Sequence, residues 1–343
     1  MTLLAAVACP RTAMRLLRIV LLTALTTMAA GNSLDYLNHN RPVLDAHNCY
    51  PYEGQWKDRI DRALSTGFPV IIEQDLAWYA GPDGGQRRVV VSHQPRTNGS
   101  EPLLRDYFFE RVRPIVEEAL RRNDRARWPI IVLHFDFKDV QAPLLHAVWQ
   151  LLGEYQDWIT TATKTADPSE VSAFEPKPLL VLTEDSDAQE EVFFNQVPVG
   201  SKLRLFGSAH TEPVPGSGKA RNHLLATLPP EKLLAARPTN YRRWWNTSWF
   251  VVEEGGQHEA GDWTPADDRR LRALVDHAHQ MGYWIRFYTL DGFAPGGDLG
   301  GWGDGYNFGS RSAVEARWKA ALDAGVNLIA TDQYEDLAAF MKK

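Results

Sequence analysis

The chain has 343 residues, 44% of them hydrophobic, and a formal net charge of −6. That is enough apolar material for one large core, and the acidic balance excludes a general nucleic-acid binder, which would carry a basic face. Two cysteines, Cys9 and Cys49, exclude a disulfide-stapled scaffold.

The first segment in the chain is a targeting signal by its pattern. Arg15 and Arg18 precede an apolar run from Ile19 to Ala30, closed by the small residues Ala29, Ala30 and Gly31. The run has 12 residues, whereas a membrane span needs ~20. Residues 1–31 are therefore expected to be a signal peptide and residues 32–343 one functional domain, in a secreted or periplasmic protein. Cys49 would then be the lone thiol, and it reads as a buried structural residue.

Apolar runs of strand length alternate with amphipathic segments from there on. Val43–His47 is a first strand, Gln55–Ser65 a helix, Pro69–Asp75 a second strand and Arg88–His93 an extended piece after a turn at Gly81–Gly85. Leu103–Asn123 is a long helix, Pro129–Phe137 a third strand and Val140–Thr161 a helix. Lys177–Glu184, Ser201–Phe206 and Ser248–Glu253 read as strands four to six. Helix Asp267–Met281, strand Tyr283–Tyr288, helix Ser312–Ala324 and strand Val326–Thr331 finish the chain. Such alternation implies a parallel sheet buried on both faces. Eight main strands without a Gly-rich dinucleotide turn favour an α/β fold of one kind, a single TIM-type (β/α)8 barrel. Ser208–Gly218 and the Gly-rich stretch Ala294–Gly309, with Trp302, Tyr306 and Phe308, are loops at an end of that barrel.

Polar residues fall at strand ends: His47, Glu73 and Asp75, His93, Asp136 and Lys138, Glu184 and Asp185, Arg286, and Asp332. In a β/α barrel these ends share one face, where active sites lie. Alternation puts Glu73 and Asp75 on the same side of their strand, ~7 Å apart along it. With Asp136 they form an oxygen-rich set that suits one divalent cation, Mg²⁺ or Ca²⁺, better than zinc; strand-end ion pairs with nearby arginines are the plainer alternative. His47 and His93 flank the carboxylates, and imidazoles titrate near neutrality, as an acid/base pair at a phosphodiester requires.

On these residues the chain resembles the phospholipase C-like phosphodiesterase superfamily, and within it the glycerophosphodiester phosphodiesterases. The matching pieces are Asp45-Ala46-His47, Ile72-Glu73-Gln74-Asp75-Leu76, Val90-Val91-Ser92-His93, Phe135-Asp136-Phe137-Lys138 and Ile329-Ala330-Thr331-Asp332. The resemblance implies a metal-dependent phosphoric diester hydrolase. His47 and His93 would be its general acid and base, Glu73, Asp75 and Asp136 its metal ligands, and Lys138 a phosphate contact. It also implies that a hydroxyl of the substrate itself can attack phosphorus and leave a cyclic phosphate. Family members usually carry an arginine after the first histidine and an aspartate after the second; here Asn48 and Gln94 stand in those places. Asn48 would contact the substrate, with Arg286 supplying the missing charge. The substrate class widens accordingly to a small-molecule or lipid phosphodiester, with room for transient contact with a membrane surface. Two other readings stay open: a barrel that binds phosphate or lipid without turnover, and a glycoside hydrolase using Glu73 with Glu184 and some of the 12 tryptophans.

Overall fold

The computed structural model describes residues 42–52, 55–82, 84–294 and 304–343. The expected signal over residues 1–31, together with Cys9 and Trp302, lies outside the described residues. The strands in chain order are β1 (Val43–Ala46), β2 (Val70–Ala80), β3 (Arg87–Val91), β4 (Ile131–Phe137), β5 (Thr161–Thr163), β6 (Phe174–Glu175), β7 (Leu179–Thr183), β8 (Lys202–Leu203), β9 (Phe206–Ser208), β10 (Arg242–Ser248), β11 (Trp284–Tyr288) and β12 (Leu328–Thr331). Parallel pairing runs β1-β2-β4-β7-β9-β10-β11-β12, and β12 pairs back onto β1. The sheet thus closes into the expected eight-stranded parallel barrel. β3 pairs antiparallel with the far half of β2, and β5, β6 and β8 form a small separate sheet.

Strands β1, β7 and β12 are buried at every position, which is why their sequences show apolar runs rather than alternation. The covering helices bury one stripe each. Helix Glu110–Arg122 turns Val112, Val116 and Ala119 inward and ties its outer face with an Arg113–Glu117 pair at 2.6 Å. Helix Pro265–Met281 starts at a Thr264/Asp267 capping box and stops at Gly282, whose φ of +96° suits glycine. Among the described residues no helix is long and apolar enough to cross a membrane.

Several expected elements moved. The sixth barrel strand is Arg242–Ser248, not Ser248–Glu253. The apolar SWFVV run is buried, but as a 3-10 turn over Trp249–Val251 that Ser248 Oγ caps at 3.3 Å from Phe250 N. A short apolar run cannot by itself distinguish a strand from a buried turn. The helix expected over Val140–Thr161 ends at Glu154, and Thr161–Thr163 is strand β5. The fifth barrel strand is Phe206–Ser208, displaced towards the C-terminal end of the expected segment. β2 runs on to Ala80, because Leu76–Ala80 finds a partner in β3. Helix Gly218–Thr227 was not expected. Trp244, Trp245 and Trp249 are fully buried, and the indoles of Trp244 and Trp249 donate to Thr183 O (3.0 Å) and Glu253 Oε2 (2.7 Å). They pack the core and offer no platform to a sugar.

Gly207 in β9 lies against the buried ring of Tyr241, and a Cβ there would come within 2.4 Å of it. Gly207→Ala should therefore destabilise the barrel by about 1–3 kcal/mol through overpacking, read as a lower urea midpoint at unchanged slope.

Candidate active site

The C-terminal ends of β1, β2, β4, β7, β10 and β11 surround a cavity of about 300 Å³ lined by His47, Glu73, Asp136, Glu184, Asn246, Arg286, Tyr288 and Tyr306. Strand alternation explains the set. Asp45 and His47, Glu73 and Asp75, and His134 and Asp136 are pairs two residues apart, so each strand sends both members to one side. Gln74, between the carboxylates, points away and donates to Cys49 O and Glu73 O.

Glu73 stands at the centre. Arg286 Nη2 donates to its Oε2 at 2.5 Å, His134 Nδ1 lies 3.4 Å from the same oxygen, and His47 Nε2 lies 3.8 Å from Oε1. Burial disfavours its charge, but His47 and Arg286 outweigh burial and hold the carboxyl well below its usual range. Arg286 is buried, and it also donates to Asp45 Oδ2 and to Asn246 Oδ1 (3.1 Å). It lines the cavity as expected, yet its donors are engaged by the protein, so its position is that of an anchor for Glu73 more than a free phosphate contact.

Asp75 is fully buried. Its Oδ2 accepts from Tyr50 OH at 2.7 Å and meets Lys138 Nζ at 2.9 Å, while its Oδ1 is buried without a hydrogen-bond partner. Burial, with the nearby Asp136 carboxylate, drives the Asp75 carboxyl well above its ordinary value. Burial raises Asp136 too, and Lys138 Nζ donates to it at 2.7 Å. Glu73, Asp75 and Asp136 can each present an oxygen such that all three lie within 4.8 Å of one another. An orphaned buried acceptor inside a carboxylate triad, with like-charge repulsion among its members, is a donor set that fits a hard divalent cation. A second grouping, Asp45, Glu73 and His134, has the same spacing but is bridged by Arg286.

The two expected acid/base histidines differ in state. Burial opposes charge on His47, but Glu73 and Asp332 prevail and raise it to about 9. Its Nδ1 is contested: Asn48 Nδ2 at 2.9 Å calls for a bare nitrogen, and Asp332 Oδ2 at 3.4 Å for a protonated one. The ring therefore meets a partner in either protonation state. Asp332 is itself fixed by Arg59 Nη1 at 3.0 Å, and Tyr334 OH donates to His47 O at 2.6 Å. His93 follows β3, half-buried between Tyr50 (stacked, 6.5 Å) and Tyr52 (edge-on, 5.9 Å). Burial lowers it to about 4, with the charges of Lys138 and His47 contributing. At neutral pH one ring carries a proton and the other accepts one.

Asn48 is not at the cavity wall. It holds a left-handed backbone (φ +50°), and its amide is engaged with His47, Asp332 and Tyr50 OH (2.6 Å), so it braces His47 instead of facing substrate. Cys49 is buried and its thiol is pushed up by burial, as a structural cysteine would be. His134 was not singled out from sequence; it spans Glu73 and Glu184, with Nε2 2.7 Å from Glu184 Oε1, and is held at about 10 although burial and Arg286 oppose its charge. Its place two residues before Asp136 was the available signal. Despite burial, Glu184 is held below its ordinary value by His134 and by hydrogen bonds from Asn246. Glu73 and Glu184 are thus both held below the ordinary range, which suits neither of that pair to be the protonated acid of a glycosidase. Tyr306 meets His47 edge-on at 5.5 Å. With Tyr288 and Asn246 it also borders a second space of about 430 Å³ that reaches Phe250 and Arg221.

No protein-family model and no curated protein matches the chain. Solved structures do. A glycerophosphoryl diester phosphodiesterase of Parabacteroides distasonis matches at 14% identity, over 90% of both chains, with a TM-score of 0.40. A glycerophosphodiester phosphodiesterase of Agrobacterium tumefaciens matches at 13%, over 88% of this chain and 99% of that one, with a TM-score of 0.40. A Plasmodium falciparum HPPK-DHPS matches at 9%, over 88% of this chain and 48% of that one, with a TM-score of 0.43. Likenesses this distant assign no chemistry, and two different enzyme types appear at the same level.

Metal occupancy has a readout independent of turnover. Mg²⁺ or Ca²⁺ at about 100 times its Kd should stabilise the EDTA-treated protein by about 2.7 kcal/mol and raise Tm by about 5 °C. Asp75→Asn should abolish that rise in a thermal scan.

Proposed function

We propose that the chain is an exported, metal-dependent phosphodiester hydrolase acting on a small-molecule diester or a lipid headgroup. The observation that carries this reading is the buried, unpartnered Asp75 Oδ1 within the Glu73–Asp75–Asp136 set, with His47 Nε2 3.8 Å from Glu73. Export rests on Arg15, Arg18 and the Ile19–Ala30 run. A Mg²⁺ or Ca²⁺ ion bound by Glu73, Asp75 and Asp136 would offset charge on the non-bridging phosphate oxygens.

The protein's own groups account for the proton movements. His93, neutral at pH 7, takes the proton of the attacking hydroxyl or water as its oxygen bonds to phosphorus. His47, protonated at pH 7, gives a proton to the departing alcohol oxygen as its bond to phosphorus breaks. Where a substrate hydroxyl attacks, hydrolysis of the resulting cyclic phosphate returns both protons in the opposite sense; where water attacks, the two rings exchange protons with solvent before the next turnover. Lys138, which otherwise bridges Asp75 and Asp136, is within reach of phosphate oxygens as a compact positive charge. Asp332 and Asn48 keep His47 in register.

Activity on bis(p-nitrophenyl) phosphate should be lost in EDTA and restored by Mg²⁺ or Ca²⁺. His47→Ala or His93→Ala should lower kcat by about 10²–10⁴-fold. Metal-independent release, or full activity in either variant, would refute the reading.

The pH profile follows from the two rings. The base form of His93 is present above about 4, and the acid form of His47 below about 9. kcat/KM should therefore rise through the lower limit and fall towards the upper one. A cation on Glu73 would weaken the field that raises His47, so the falling limb should shift to lower pH in the metal-loaded enzyme. His93→Ala should remove the rising limb and His47→Ala the falling limb, measured on the residual activity.

A further inference from the structure

His93 lines a cavity of about 590 Å³, shared in part with Tyr52, Lys57, Gln94, Arg96 and Glu101. Its charge is lopsided. Lys57 and Arg96 are exposed in its lining, and neither side chain has a hydrogen-bond or ion-pair partner among the described residues. The carboxylate of Glu101 is already bound, accepting from Asn98 N and Gly99 N at 2.8 Å each. His93 is part of the lining, with Tyr52 edge-on to it and Gln94 Nε2 donating to Tyr52 OH at 3.2 Å. The cavity therefore abuts the ring proposed to exchange protons with a reacting oxygen. It has room for a substituent several atoms long, and it offers two unengaged cations.

We infer that this cavity is a cationic subsite for an anionic group, a phosphate monoester or a carboxylate, carried on one alcohol arm of the diester. The inference rests on the proposed hydrolase reading for its place in catalysis. It adds recognition of a charge on a substrate arm to what the central cavity offers, since Arg286, the cation in that cavity's lining, is already paired with carboxylates. A substituent reaching past His93 would meet Lys57 and Arg96 in partly aqueous surroundings, so the preference should weaken with salt.

Two p-nitrophenyl alkyl phosphodiesters, matched except for an alkyl arm ending in methyl or in phosphate, test this. The wild-type protein should favour the phosphate-ended diester in kcat/KM by about tenfold, the size that two screened charge pairs reach. K57E/R96E should erase that ratio, and K57R/R96K should keep it. Equal kcat/KM for the two diesters in the wild type, or a ratio that survives charge reversal, would overturn the inference. Calorimetry with propyl phosphate in EDTA is independent of turnover. Affinity about tenfold weaker in K57E/R96E supports the subsite, and equal affinity in the two proteins rejects it. If neither diester is hydrolysed, the hydrolase reading fails while the calorimetry still decides the subsite.

Discussion

Arg286 is the residue around which the barrel interior is organised. Its guanidinium lies among Asp45, Glu73 and Asn246, all buried or nearly so, in a space where an unpaired carboxylate would cost several kcal/mol. By fixing Glu73 as an anion it sets the field that His47 and His134 respond to, and so the protonation of the whole upper barrel. A single cation from β11 cannot satisfy every carboxylate that β1, β2 and β4 deliver. Asp75 and Asp136 are left with Lys138, and one oxygen of Asp75 is left with nothing.

That residual imbalance is where structure turns into chemistry. Most buried acceptors in a folded core are paired. Here one unpaired acceptor belongs to Asp75, a member of a carboxylate triad at the strand ends where a parallel barrel opens to solvent. The histidines differ for separate reasons. The carboxylates Glu73 and Asp332 raise His47 against burial, whereas burial lowers His93, with the charge of Lys138 adding to it. Two identical side chains thus acquire opposite electrostatic surroundings from position, and hydrogen bonds with Asp332 and Asn48, themselves held by Arg59 and Tyr50, brace His47.

Much of this was legible in the sequence, for a simple reason. Period-two alternation and strand-end location are local properties, so Glu73, Asp75, Asp136, His47 and Lys138 could be assigned to one rim without coordinates. The barrel followed from counting buried apolar runs. What could not be read was partnership across the barrel. Arg286 was visible at a strand end, but its engagement by Asp45 and Glu73 depends on residues 241 and 213 positions away. Asn48 seemed a substrate contact beside His47, yet its left-handed backbone turns its amide into the His47–Asp332 network. The sixth strand was misplaced because SWFVV and RRWWN are both buried, and burial alone does not reveal backbone conformation. His134 has no metal spacing to another histidine, and its strand phase with Asp136 is the signal that brings it into the site.

The account depends most on the claim that Glu73, Asp75 and Asp136 bind one cation. Anomalous diffraction from crystals grown with Mn²⁺ tests it directly. The expected result is one strong peak, with an oxygen from each of the three side chains ~2.0–2.6 Å away and Asp75 Oδ1 among the ligands. A cluster without a peak, with Lys138 still bridging Asp75 and Asp136 at saturating Mn²⁺, would contradict it and leave the three carboxylates as a purely structural ion-pair network.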